Sequence, residues 1–366
     1  MTLSSARLPK FAHGGDIYSA TSPVGRWLDF SANINPMGMP AAAKKAIIEN
    51  IDSLVHYPDP EGRELKQAIS DFCGMSPECI VLGNGAAELF YVYFHALRPK
   101  RVLLPVPSFN EYERAAGCAG AEIDYFFLQK GNGFQPDLAS LIEALPGHDV
   151  LIMGNPNNPT GNLLTKQEIA LLAEAGRAAG CRLVIDESFL DFRQDKDLYT
   201  AVGLLDRFDN IMIVTSLTKF FAIPGLRLGF GLADSKLARR LEGNKDVWNV
   251  NLLAQKAGAA VLRDAGCQRQ AREMLAGNMR EFYHALRLVS GIRAYDPSVN
   301  FVLLELLKQG MNSAGLCAFM KRYGILVRDC SNYPGLDDRF VRLAVRSKEE
   351  NAVVLQRLKE YAEAIV

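Results

Sequence analysis

The 366-residue sequence has no excess of either charge sign: 41 basic residues stand against 41 acidic ones. That balance points to neither a nucleic-acid nor a membrane partner, although net charge is silent about a local basic cleft. No apolar run reaches membrane-spanning length, because charges interrupt the longest candidates. The N-terminus lacks the basic-then-apolar pattern of a signal peptide. The seven cysteines (Cys73, Cys79, Cys118, Cys181, Cys267, Cys317 and Cys330) are odd in number, and no pair has CxxC spacing. They read as reduced thiols, several of them small hydrophobes in apolar runs, and not as a disulfide frame or a metal site. A cytoplasmic protein without a bound metal is the expectation. Internal repeats and low-complexity tracts are also missing.

What is present is ordinary globular composition, 49% apolar and 22% charged, at a length for one large or two moderate domains. Residues to about Phe30 are rich in Gly, Ser and Pro and read as irregular. Pro40 marks the start of a helix over AAAKKAIIENI, and a second helix follows Glu61. From Ile80, short apolar strands alternate with helices. The strands are expected at Ile80–Leu82, Arg101–Leu104, Ile123–Leu128, Val150–Met153, Leu183–Ile185, Ile211–Val214 and Leu226–Leu232. Helices are expected at Ala86–Leu97, Asn110–Ala119, Pro136–Leu145 and Lys166–Ala179. This alternation predicts an α/β fold with a doubly wound, mostly parallel sheet. After about Trp248 the pattern becomes α+β. Helices are expected at Leu252–Arg263, Gln268–Val289, Ser313–Tyr323 and from Lys348, with strands at Phe301–Leu304, Ile325–Arg328 and Phe340–Val345. The division expected is an N-terminal segment (1–45) joining the small domain, a large domain (46–250) and a small C-terminal domain (251–366).

Four strings carry chemistry. In SLTKFFAIPGLRLG, Lys219 follows a strand in a loop, with Ser216 and Thr218 before it and Arg227 eight positions on. A buried lysine is a Schiff-base nucleophile, and arginine grips phosphate bidentately; alone, Lys219 reads equally as a surface lysine. In RLVIDESFLDF, Asp186 and Glu187 end a parallel strand, where ligand sites form, or simply cap a helix. GNPNNPTG (Gly154–Gly161) is dominated by turn formers. LGNGAAELF runs from a strand through small residues into a helix, a ready anion cradle that lacks both the dinucleotide fingerprint and the P-loop lysine.

In chain order, from LGNGAAELF through GNPNNPTG and RLVIDESFLDF to SLTKFFAIPGLRLG, the four strings resemble the fold-type I pyridoxal 5'-phosphate (PLP) enzymes, the aspartate aminotransferase superfamily, over nearly the whole chain. The resemblance implies a large sheet domain plus a small α+β domain, PLP as cofactor and a homodimer with shared active sites. It makes Lys219 the Schiff-base lysine and Asp186 the acid that pairs with the pyridine nitrogen. Asn157 becomes the partner of the ring hydroxyl, and Phe109 the aromatic stacked on the ring. Gly85, Ala86, Ala87, Ser216 and Arg227 become phosphate ligands. Tyr57 matches a tyrosine that reaches the phosphate of the neighbouring subunit's cofactor. One position departs from the histidinol-phosphate aminotransferases: Phe189 stands where they carry a tyrosine, which removes a second hydrogen bond to the ring hydroxyl.

Within the superfamily, HGGDIY (His13–Tyr18), DFSANINPMGMP (Asp29–Pro40) and SLTKFFAIPGLRLGF resemble the L-threonine-O-3-phosphate decarboxylases of cobalamin biosynthesis. The sister group is histidinol-phosphate aminotransferase. The expectation is a carboxy-lyase that converts L-threonine O-3-phosphate to aminopropanol O-phosphate and CO2. The alternatives are a histidinol-phosphate-type aminotransferase, a serine-phosphate decarboxylase, and a PLP-binding protein without catalysis. One methyl group is worth only about 1–3 kcal/mol of discrimination, so sequence does not separate the two phosphoamino acids. The resemblance makes Arg342 and Arg328 substrate-binding, Arg342 at the carboxylate. His13 in a glycine-hinged flap, Asn33 and Asn35 are expected to line the substrate cleft. Strand alternation puts Arg346 on the face of Arg342, as a helper or a surface charge.

Overall fold

A computed structural model describes residues 10–365. The chain runs through β1 (Leu28–Asp29), α1 (Ala41–Asn50), α2 (Arg63–Cys73), β2 (Ile80–Gly83), α3 (Ala86–Leu97), β3 (Arg101–Val106), α4 (Asn110–Cys118), β4 (Glu122–Phe127) and α5 (Leu138–Glu143). It continues with β5 (Val150–Gly154), α6 (Lys166–Ala179), β6 (Arg182–Asp186), β7 (Ile211–Ser216), α7 (Leu217–Phe220), β8 (Gly229–Ala233), α8 (Ser235–Glu242) and α9 (Leu252–Leu262). The last part holds α10 (Ala265–Leu286), β9 (Ile292–Ala294), β10 (Phe301–Leu306), α11 (Ser313–Lys321), β11 (Ile325–Leu326), β12 (Arg328–Asp329), β13 (Phe340–Ala344) and α12 (Lys348–Ala364).

Seven strands form one sheet in the order β2-β8-β7-β6-β5-β3-β4, and only β8 runs against its neighbours. The central strands β5 and β7 are buried along their whole length, as strands covered on both faces must be. Their side chains alternate between two cores: Leu151 and Met153 enter one, Val150 and Ile152 the other. The α/β expectation therefore holds. A second, four-stranded antiparallel sheet has the order β12-β13-β10-β9.

The differences are local and have physical causes. Lys219 stands in a one-turn helix, α7, instead of a loop, because the Ser216 hydroxyl caps it at the Thr218 N–H. β8 begins at Gly229 because Pro224–Leu226 forms a 3-10 turn and Arg227 adopts a left-handed conformation, φ 58°. The strand expected at Ile325–Arg328 splits: β11 pairs with β1, while β12 joins β13. Thus the irregular N-terminus contains a strand paired in parallel with the C-terminal region. Core membership changes inside the long helix α10: Ala271 and Leu275 join Ala254 and Ala257 of α9 in the large core, whereas Phe282 and Leu286 join the small one. Among the described residues, no helix is long and apolar enough to cross a membrane.

Candidate active site

A cleft forms where strand ends of the large sheet face the small sheet. Parallel sheets place their sites beyond the carboxyl ends of strands, and Asp186 and Ser216 are the last residues of β6 and β7. Among the described residues, Lys219, Arg227, Arg328 and Arg342 line the cleft against one carboxylate, Asp186. A chain of zero net charge thus concentrates cations in one place.

Asp186 is buried, accepts the Tyr112 hydroxyl at 2.6 Å and takes the Ser188 N–H at 2.9 Å. Burial pushes its carboxyl up; the bonds from Ser188 and Tyr112 and the charge of Lys219 oppose that shift. A buried carboxylate of this kind favours a cationic N–H partner. The Lys219 amine is lowered to about 8, by burial first and then by Arg342 and Arg227, against the pull of Asp186 and Asp29.

The anion cradle lies at the N-terminus of α3. Ala86 and Ala87 line the cleft, and Gly85 is the N-cap residue with φ 90°. A Cβ there would sit 2.2 Å from an Arg227 Nη2, so glycine is what lets the guanidinium close on the helix end. Ser216 Oγ pairs with Thr218 Oγ1 at 2.7 Å beside it. Phe109, the N-cap of α4, lines the cleft with its ring edge-on to Tyr112, centroids 5.6 Å apart. A helix end with arginine at one pole, a buried acid at the other and an aromatic wall suit a phosphate-bearing cationic heteroaromatic.

On the opposite wall, Arg342 donates to Asn158 Oδ1 and, at 2.8 Å, to Ser31 O; its Nε has no partner among the described residues. Arg328 donates to Ala12 O and Asn332 Oδ1, both at 2.8 Å, and lies over the Tyr333 ring. Asn33 lines the cleft with a buried Oδ1 that has no partner among the described residues. His13 lines it too, bonded through Nε2 to Glu111 at 2.8 Å. Phe189 is a lining residue without a polar atom to offer.

Some expected residues are elsewhere. Asn157 does not line this cleft: its amide donates to Pro107 O at 2.9 Å and Thr160 Oγ1 at 2.7 Å. The next residue, Asn158, faces the cleft instead. A turn sends adjacent side chains in different directions, so the paired asparagines of NPNNPTG are not resolved by sequence. Asn35 serves α7, donating its side-chain amide to Phe220 O at 2.9 Å. Arg346 is a clamp, bonded to Glu350 and to Asp29 O at 3.1 Å. Tyr57 is 74% exposed, away from its own cleft, and stacks on Trp248 at 4.1 Å. Tyr112 was missed; its signal was a position one helical turn after Phe109.

The family model for aminotransferase class I and II matches residues 25–358. The chain is 35% identical over 353 residues to a threonine-phosphate decarboxylase of Salmonella typhimurium, spanning 95% of this chain and 96% of the relative. It overlays the histidinol-phosphate aminotransferase of Clostridium acetobutylicum with a TM-score of 0.86 at 31% identity, over 92% of this chain and 99% of the other. The L-threonine-O-3-phosphate decarboxylase of Porphyromonas gingivalis gives 0.81 at 28% identity, over the same 92% and 99%. A near full-length match of this kind, on a fold whose strand ends gather the lysine, the acid and the anion cradle, means that the chain belongs to the aminotransferase class I and II family.

Proposed function

We propose that this protein is a PLP-dependent decarboxylase that converts L-threonine O-3-phosphate to aminopropanol O-phosphate and CO2 in cobalamin biosynthesis. The observation that carries this reading is the cleft's four cations against one carboxylate, divided between two walls. Lys219 and Arg227 stand on the sheet wall, Arg328 and Arg342 on the facing wall. The first wall suits the cofactor and its phosphate, the second a substrate with a carboxylate and a phosphate monoester. The Salmonella and Porphyromonas relatives bear the matching names.

The residues present fit PLP. Ala86, Ala87, Ser216 and Arg227 would hold its phosphate, Asp186 its ring nitrogen, Phe109 its face and Lys219 its aldehyde carbon; for the ring hydroxyl, Asn158 replaces Asn157. When bound, PLP supplies a conjugated cationic ring that accepts the electron pair released at Cα. The chain's part is positioning. Arg342 grips the carboxylate, and Arg328 with His13 grips the phosphate, which orients the bond to be broken. The Cα–carboxylate bond breaks, CO2 leaves, and the Lys219 ammonium returns a proton to Cα. Asn33 Oδ1, buried without a partner, is an acceptor for the substrate.

The exposed patch of Ile51, Leu54, Val55 and Tyr57 with Trp248 supports a homodimer in which Tyr57 serves the neighbouring site.

The test is incubation of PLP-loaded protein with L-threonine-O-3-phosphate and no keto acid, measuring CO2 and aminopropanol phosphate. Steady product is expected. Amino transfer from histidinol phosphate to 2-oxoglutarate, with no CO2, would overturn the reading in favour of the aminotransferase. Serine phosphate is the next comparison.

A further inference from the structure

The segment from Lys10 to Gly15 runs along the cleft and is held from two directions. From α4, Glu113 pairs with Lys10, the Asn110 side chain donates to Lys10 O at 2.9 Å, and Glu111 takes His13 Nε2 at 2.8 Å. From the other side, Arg328 donates to Ala12 O at 2.8 Å, and Asn332 Nδ2 donates to the same oxygen at 3.0 Å and to Lys10 O at 3.2 Å. Gly14 lies so close to Ser31 that a Cβ would stand 2.2 Å from its carbonyl oxygen. The strap therefore joins α4 to a substrate arginine.

Glu111 is buried, as are Asn110, Glu113 and Arg328, and it gathers the most side chains. It takes the Tyr91 hydroxyl at 2.8 Å on one oxygen, and His13 on the other with Arg114 at 3.4 Å. Burial acts to raise its carboxyl, but the bonds from His13 and Tyr91 outweigh it and hold it at about 2. An ionised carboxylate only accepts, so it claims the Nε2 hydrogen and fixes the ring. The imidazole then stands 5.5 Å from the Phe109 ring, with Nδ1 free of any partner among the described residues.

We propose that Glu111 is a positioning residue for the substrate's phosphate monoester. By anchoring His13, it holds the strap carbonyl of Ala12 on Arg328, so that His13 Nδ1 and the Arg328 guanidinium act as one anion-binding unit. The inference rests on the decarboxylase reading for its substrate. A histidine set between a carboxylate and a phosphate uses both ring N–H groups as donors, which is how a residue near the N-terminus is committed to the site.

The test compares Glu111→Ala, His13→Ala, their combination and Tyr91→Phe in the PLP-loaded protein. Two readouts are taken: kcat and KM for L-threonine-O-3-phosphate, and affinity for inorganic phosphate by calorimetry. Glu111→Ala is expected to raise KM about tenfold, the scale of one charge-assisted hydrogen bond, and to weaken phosphate equally, with kcat within about twofold. It should add nothing once His13 is gone. Tyr91→Phe removes the hydroxyl on the carboxylate's other oxygen and should leave KM unchanged. Equal effects of Glu111→Ala and Tyr91→Phe, or additive effects of Glu111→Ala and His13→Ala, would overturn the proposal as a general packing role. Wild-type protein that binds inorganic phosphate but releases no CO2 would overturn the decarboxylase reading instead, and the phosphate affinities would still decide the role of Glu111.

Discussion

The two walls of the cleft are built differently. The sheet wall is complete in itself: Asp186 is held by Tyr112 and Ser188, and Ser216 is paired with Thr218. The facing wall is unfinished. Among the described residues, Arg342 Nε and Asn33 Oδ1 are buried without partners, and Arg328 spends a donor on the backbone of the N-terminal strap. Preorganised groups hold a resident ligand at low entropic cost, whereas orphaned buried groups cost free energy until a ligand satisfies them. On the proposed function, the first wall would take the cofactor and the second would select the substrate.

Breaking the sheet wall at Lys219 should have the largest effect. On the proposed function, Lys219→Ala is expected to lower turnover by about 10³-fold or more, since it would remove both the amine nucleophile and the proton donor; borohydride would no longer fix the cofactor to the chain. Breaking the facing wall comes next. Arg342→Lys keeps the charge but loses the fork geometry, so kcat/KM should fall on the order of 10²-fold while cofactor affinity is retained. If cofactor affinity falls as well, the division between the walls fails.

Gly85→Ala sharpens the comparison from the cofactor side. It forces a positive φ on alanine and drives a Cβ against Arg227, so titration should show PLP bound about tenfold or more weakly, with KM nearly unchanged. Tyr112→Phe deletes the hydroxyl on Asp186 and should weaken PLP about tenfold or less, with a change in the visible spectrum that reports ring protonation.

The smallest effect concerns pH. The Lys219 amine is lowered to about 8 by burial and by Arg342 and Arg227. Below that value it is an ammonium and cannot attack the cofactor aldehyde. Apo-protein should therefore reload with PLP faster as pH rises through about 8, and level off above it. In Arg342→Lys, which keeps the neighbouring charge, the midpoint should barely move.

Legibility in the sequence follows the same division. Lys219, Asp186, Ser216 and Ala86 lie in short strings next to strand ends, so local pattern and family resemblance find them together. Residues whose role depends on a contact across the chain were read less well. Tyr112 touches Asp186 over 74 positions and Glu111 touches His13 over 98. Asn158, not the expected Asn157, faces the cleft, because spacing cannot tell which of two neighbours a turn directs inward. Arg346 shares its strand's alternation with Arg342 but lies beyond β13 and clamps Glu350.

The sequence by itself determined the alternation of strands and helices, the strand-end motifs and the family, because apolar periodicity and turn chemistry act within a few residues. Only the tertiary structure decided that the segment from Lys10, the turn at Ser31 and strands β12 and β13 form a single wall. That wall depends on hydrogen bonds between segments about 300 positions apart, such as Arg328 to Ala12 and Arg342 to Ser31. No local pattern encodes such contacts, because they form only when the packed cores bring the two ends of the chain to the same cleft.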